Sequence, residues 1–148
     1  MSELQVVVCE LGGERYGLDI SRVYEIIRVQ PITAVPQAPA FVEGVINLRG
    51  RVIPVVELAT RFGLPAGERT KASRIVVAET GGVRVGLIVD GVSEVLLVPD
   101  EAVEPTPPIA SSDAAYLRGI AKLGEQLVTL LDLDGLFGAG ELGTAAAA

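Results

Sequence analysis

The 148-residue sequence has no histidine, no tryptophan, one cysteine, three tyrosines and three phenylalanines. Without histidine there is no Ser/His/Asp triad, no Cys/His dyad, no imidazole metal ligand and no histidine phosphotransfer. Cys9 has no second thiol with which to form a disulfide or a zinc cage, so no metal is expected and a reducing compartment is the default. Basic residues are also scarce: 12 Lys and Arg stand against 19 Asp and Glu, giving a net charge of −7 and a pI near 4.6. Those few are scattered along the chain, which argues against nucleic acid as a partner. Every apolar run is broken by Gly, Pro or a charge well before the ~18 residues of a membrane span. The start, Met1-Ser2-Glu3, lacks the basic and apolar regions of a signal peptide. A soluble cytoplasmic protein without membrane insertion is expected.

What is present is apolar sequence, 49% of the chain, cut into short pieces by 17 glycines and nine prolines. At 15.4 kDa a folded surface of about 7,200 Å² replaces about 22,000 Å² of unfolded surface. That is enough for one unit, or two small ones sharing an interface. The Val- and Ile-rich runs read as strands: Leu4–Leu11, Arg15–Ile20, Tyr24–Val29, Val42–Leu48, Val52–Val56, Arg74–Glu79, Val83–Val89, Glu94–Val98, Gly119–Leu123 and Leu127–Leu131. Gly12-Gly13 and Gly81-Gly82 fall between paired runs, where a two-residue hairpin needs positive φ. Helical character is confined to Leu58–Phe62, Leu133–Phe137 and a turn capped by Ser21.

The sequence repeats itself. At an offset of 69, Val7, Val8, Glu10, Gly12, Gly13, Arg15, Gly17, Leu18, Val23, Glu25 and Val29 coincide with identical residues of the second half, from Val76 to Val98. At an offset of 75, Gly44, Leu48 and Leu58 coincide with Gly119, Leu123 and Leu133. Five strands therefore occur twice in one order. The reading is all-β: one unit over residues 1–148, built of a first barrel (about 1–69), a second (about 70–137) and a tail at 138–148. Each half is near the size at which a single core is marginal, so the two should pack through an apolar interface with a groove along the seam. Whether the terminal strands stay at home or exchange is open. Pro65–Ala72 is the expected linker and Pro99–Asp113 a long exposed loop.

No catalytic constellation stands out. The Gly12-Gly13 pair lacks the following helix and Lys-Ser/Thr of a phosphate loop. Asp132, Asp134 and Gly135 lack the remaining ligands of a calcium loop and read as a polar helix start. Glu25 and Glu94 hold equivalent strand positions, and solvated strand-face charges account for them better than acid/base work. Cys9 lies in a Val-rich run as a small core residue. No enzymatic activity and no cofactor are expected. The segment Phe41–Leu58 differs in kind, because two strongly apolar strands flank Asn47-Leu48-Arg49-Gly50-Arg51 and hold a cationic tip on a rigid base. Arg49 has two available roles, pairing with an internal carboxylate or presenting its guanidinium to a partner.

With these features the chain resembles the CheW family, the coupling proteins of bacterial chemotaxis. The resemblance runs from about Leu4 to Phe137. It rests on Tyr16-Gly17-Leu18-Asp19-Ile20, Val23-Tyr24-Glu25-Ile26, the Phe41–Leu58 block and Val85–Val95. It implies two SH3-like five-stranded β-barrels packed together with short helices, and a non-catalytic adaptor. Such an adaptor links the cytoplasmic hairpin tip of chemoreceptors to the regulatory domain of the histidine kinase CheA, in arrays at the membrane. By the same resemblance Val23, Gly44 and Arg49 fall at receptor-binding positions and Glu25 at a kinase-binding one. A coupling protein of a related chemosensory system, such as pilus control, and a small-molecule-binding pair of barrels are the alternatives.

Overall fold

Val6-Val7-Val8-Cys9 is a run of four apolar residues, and a strand so composed needs cover on both faces. In the computed structural model, which describes residues 3–65, 67–105 and 117–136, it receives that cover. The run lies in β1 (Glu3–Leu11). Val6 and Val8 point into one core with Val98, Ala121, Val128 and Leu130, while Val7 and Cys9 point into another with Leu18, Val76, Leu87 and Leu133. Its repeat, β6 (Arg74–Thr80), behaves alike: Ile75 and Val77 join a third core with Ile46, Ile53 and Val55, and Val76 and Ala78 turn to the shared one. Each barrel thus has its own interior. A common core fills the space between them.

The remaining elements are β2 (Glu14–Asp19), β3 (Val23–Arg28), β4 (Val42–Leu48), β5 (Arg51–Glu57), α1 (Leu58–Arg61), β7 (Val83–Val89), β8 (Gly91–Pro99), β9 (Val103–Glu104), β10 (Leu117–Leu123), β11 (Gln126–Leu131) and α2 (Leu133–Leu136). They form sheets of order β8-β1-β2-β11-β10-β9 and β3-β6-β7-β5-β4. The opening hairpin of each half therefore sits in the other half's sheet. Two parallel contacts, β2 with β11 and β5 with β7, join strands of different halves, and the rest of the ladder is antiparallel.

In a flat five-stranded sheet β3 and β4 would lie about 19 Å apart, four spacings of ~4.8 Å. Yet Gln30, just past β3, donates to the Asn47 carbonyl at 3.3 Å, and Thr33 exchanges backbone hydrogen bonds with Val45 at 2.8 and 2.9 Å. The sheet curls until its edges meet. In the other sheet β9 makes the equivalent contact, Glu104 with Ile120. Gly44 and Gly119 sit at these closures with φ of 152° and 156°, each at a shift of register. A Cβ on Gly44 would lie 2.1 Å from the Thr33 carbonyl oxygen, and one on Gly119 would lie 2.8 Å from that of Glu104.

All ten expected strands are present, two with the expected bounds and the others with at least one end moved by at most three residues, and both glycine pairs turn two-residue hairpins with positive φ. Three details differ. One sheet has six strands rather than five, because β9, inside the expected loop, is too short to show a period. The 3-10 turn Ile20–Arg22 is capped by Asp19, whose carboxylate accepts from the Ser21 N–H at 2.9 Å and hydroxyl at 2.8 Å. Ser21 itself is a donor. The seam is filled by the shared core, and the cleft beside it, about 190 Å³ between Asp19, Arg22, Arg118, Leu131, Asp132 and Leu133, is largely charged. The expected tail at 138–148, residues 106–113 of the expected loop and Phe137 lie outside the described residues.

Candidate functional site

The β4–β5 hairpin pairs Leu48 with Arg51, leaving Arg49-Gly50 as its two-residue loop, with φ of 51° and 84°. Both central residues of a type I′ turn need positive φ, which suits Asn and Gly and disfavours an arginine. Asn47 stabilises the turn by accepting from the Gly50 N–H through Oδ1 at 2.9 Å. The unusual backbone at Arg49 aims its side chain across the barrel closure to β3, where Nη1 donates to Oε1 of Glu25. That carboxylate holds the Arg49 pKa above its ordinary value. The Arg49 side chain remains 74% exposed and that of Glu25 24%. Of the two roles open to Arg49, internal pairing is therefore realised, and most of the guanidinium still faces solvent.

β3 alternates regularly. Val23 packs against the shared core and Ile27 against the barrel core, while Tyr24 and Ile26 project outward, 55% and 40% exposed. Between Val23 and Glu25 the register with β6 slips, a bulge that re-aims the side chains around it. Tyr24 lies there, with the Arg84 guanidinium 3.7 Å from its ring centroid. Arg84 also lines a cleft of about 290 Å³ with Arg51, Val52, Pro54, Glu79 and Val83, and Val52 is 59% exposed. Tyr24, Arg84 and Val52 thus lie along one cleft, and the Glu25–Arg49 pair sits next to Tyr24 in sequence, at the barrel closure. Sequence reasoning singled out Glu25 and Arg49 among these. Tyr24 stood out only within the Val23–Ile26 segment and Arg84 only as the repeat partner of Arg15, and Val52, in a run without alternation, carried no signal.

Of the other expected residues, Val23 is half-buried at the head of β3, and Gly44 is buried beneath Ile32 and Thr33, where its lack of a side chain admits the backbone. Glu25 and Glu94 are on different sheets and each faces an arginine, Arg49 and Arg15 respectively, the latter at 3.5 Å. They do not form a carboxylate pair. Asp134 is held by Arg22 at 3.1 and 2.6 Å and by the Thr80 hydroxyl at 2.7 Å, and its N–H donates to Asp132 at 3.0 Å, as a polar helix start requires. Burial pushes the Cys9 thiol up to about 12, far from a reactive thiolate. Among the described residues no helix is long and apolar enough to cross a membrane, and no three His, Cys, Asp or Glu side chains cluster as metal ligands.

The CheW-like domain model matches residues 5–141. The chemotaxis protein CheW of Rhizobium meliloti is 39% identical over 134 residues, covering 90% of this chain and 86% of that protein. That of Thermotoga maritima is 36% identical over 134 residues, covering 90% and 87%. The crystal structure of the scaffolding protein TtCheW from Thermoanaerobacter tengcongensis superposes with a TM-score of 0.87 at 41% identity, covering 95% of this chain and 96% of that one. Its all-β pair of barrels is the fold described above, and the chain belongs to the CheW family of chemotaxis coupling proteins.

Proposed function

We propose that this chain is a non-catalytic chemotaxis coupling protein that joins the cytoplasmic hairpin tip of a chemoreceptor to the CheA regulatory domain. It acts in the cytoplasm at receptor arrays, as one working unit of two barrels. The observation that carries the reading is the presence of two exposed apolar strand faces at repeat-equivalent places. Tyr24 and Ile26 project from β3; Val95 and Leu97, 48% and 60% exposed, project from β8; and Ile26 and Val95 coincide at the offset of 69. A linker of two partners needs two such faces, and exposed apolar patches on a soluble protein are interaction sites.

Arg49 and Glu25 stand beside the β3 face. In this reading the receptor tip engages Arg49, on a barrel wall that half-buried Val23 and buried Gly44 shape from beneath, the kinase engages Glu25, and a partner carboxylate competes with Glu25 for Arg49. Because each contact is small, an array gains strength from several at once. Among the described residues, the barrel interiors are filled by buried apolar side chains. This disfavours a small-molecule carrier. The test is capture of a receptor-tip fragment and, separately, of the kinase regulatory domain. Arg49→Ala should weaken receptor capture with the fold intact by circular dichroism. Undiminished capture of both partners by Arg49→Ala and by Glu25→Ala would remove the pair from the site.

A further inference from the structure

At the end of β3, two residues past Ile26, lies a cluster of cations. Arg28 ends β3, Arg74 begins β6, and the two are direct cross-strand partners. Like charges placed opposite each other weaken an antiparallel pair. Lys71, three residues before Arg74, adds a third cation. Among the described residues, ion pairs run through Arg15, Arg22, Arg49, Arg69 and Arg118, and none engages Arg28, Lys71 or Arg74. In a chain with net charge −7, three neighbouring cations without a carboxylate run against the overall balance.

Their surroundings are rich in donors. Arg28, Val29, Thr70, Lys71 and Ser73 line a cleft of about 350 Å³. The Thr70 N–H donates to Ser73 Oγ at 2.9 Å and the Ala72 N–H to Thr70 Oγ1 at 3.1 Å. Both hydroxyl oxygens are thus occupied as acceptors, and their protons remain to be given. Arg74 Nη1 donates to the Lys71 and Ser73 carbonyls at 2.7 and 2.8 Å, fixing the turn that carries Lys71 and Ser73. The lining therefore offers a guanidinium, an ammonium and two hydroxyls, with no carboxylate.

We propose that this cleft binds a phosphoryl group, as inorganic phosphate or as the phosphate of a small phosphomonoester. Arg28 and Lys71 neutralise its two charges, and the Thr70 and Ser73 hydroxyls donate to its oxygens. A phosphoryl dianion matches two cations and accepts from several directions, whereas a carboxylate brings one charge and a planar acceptor. Its binding also quenches the Arg28–Arg74 repulsion, so the ligand stabilises the fold.

The test uses the full chain, titrated with inorganic phosphate, glycerol 3-phosphate or acetate at matched ionic strength, and read by amide NMR and thermal melting. Expected are shifts centred on Arg28 and Thr70–Ser73 and a rise in Tm with either phosphate but not with acetate. Arg28→Ala should weaken the response about tenfold while raising Tm in phosphate-free buffer, Arg28→Ala with Lys71→Ala should abolish it, and Arg118→Ala should keep it. A response to only one phosphate still supports the site and identifies the source. Shifts scattered over the surface, an equal response to acetate, or a full response in the double variant would overturn it. The proposed coupling role does not depend on the outcome.

Discussion

Gly44, Glu57 and Arg49 illustrate three ways in which a single residue is constrained. Gly44 is fixed by space and φ together, so Gly44→Ala should cost roughly 2–4 kcal/mol. Gly13, at φ 82° with nothing within 4 Å of the place a Cβ would take, is fixed by φ alone, and Gly13→Ala should cost only about 1 kcal/mol. Urea melts of the two variants separate close approach from conformation; equal losses would contradict this. Glu57 is 5% exposed, and burial raises its pKa despite Arg69 at 3.4 Å. For an acid with a raised folded pKa, stability is full below the ordinary glutamate range and is lost as pH rises through the raised value. Glu57→Gln should therefore flatten the fall in urea midpoint between acidic and neutral pH; an unchanged profile would contradict the assignment. Arg49 is mostly in solvent, so Arg49→Ala should leave Tm unchanged, as surface ion pairs contribute little.

At the scale of elements, the exchange of opening hairpins is held by more than ladders. Arg22, after β2, grips Asp134 of α2 and also donates to the Glu79 carbonyl of β6 at 3.2 Å, while Arg61 of α1 donates to the Leu136 carbonyl at 2.5 Å. Arginines of the first half thus pin α2 of the second. Arg22 and the Thr80 hydroxyl hold the Asp134 pKa below its ordinary value. With a depressed folded pKa, this contribution is present above the ordinary aspartate range and lost as pH falls through the depressed value. Amide exchange in Leu133–Leu136 should accelerate with Arg22→Ala at neutral pH and differ little from the parent at strongly acidic pH. Equal exchange at neutral pH would deny the clasp. The strands were legible because each is a dense Val/Ile run between turn residues. Their exchange was not: β1 and β6 are apolar on both faces, so the pattern is satisfied by a home or a foreign neighbour. β9 was invisible because two residues carry no period. In the site, the Arg49 tip was legible as a cation out of place in an acidic chain, but its pairing with Glu25 depends on barrel closure, which no local pattern encodes.

At the scale of the whole molecule, the repeat leaves an exposed apolar strand face on β3 and another on β8. The shared core of β1, β6, β7, α1 and α2 joins the two barrels. Leu97→Asp on β8 should reduce capture of one partner several-fold and spare the other, with Tm near that of the parent; loss of both partners in a folded variant would contradict separate faces. The most direct measurement is reconstitution of chemoreceptor tips and CheA, reading the kinase phosphorylation rate with and without this protein. Receptor-dependent control of the kinase is expected only when the protein is present, and that control should weaken with Arg49→Ala. A rate unaffected by the protein, with the native fold verified and receptor and kinase active, would contradict the coupling role.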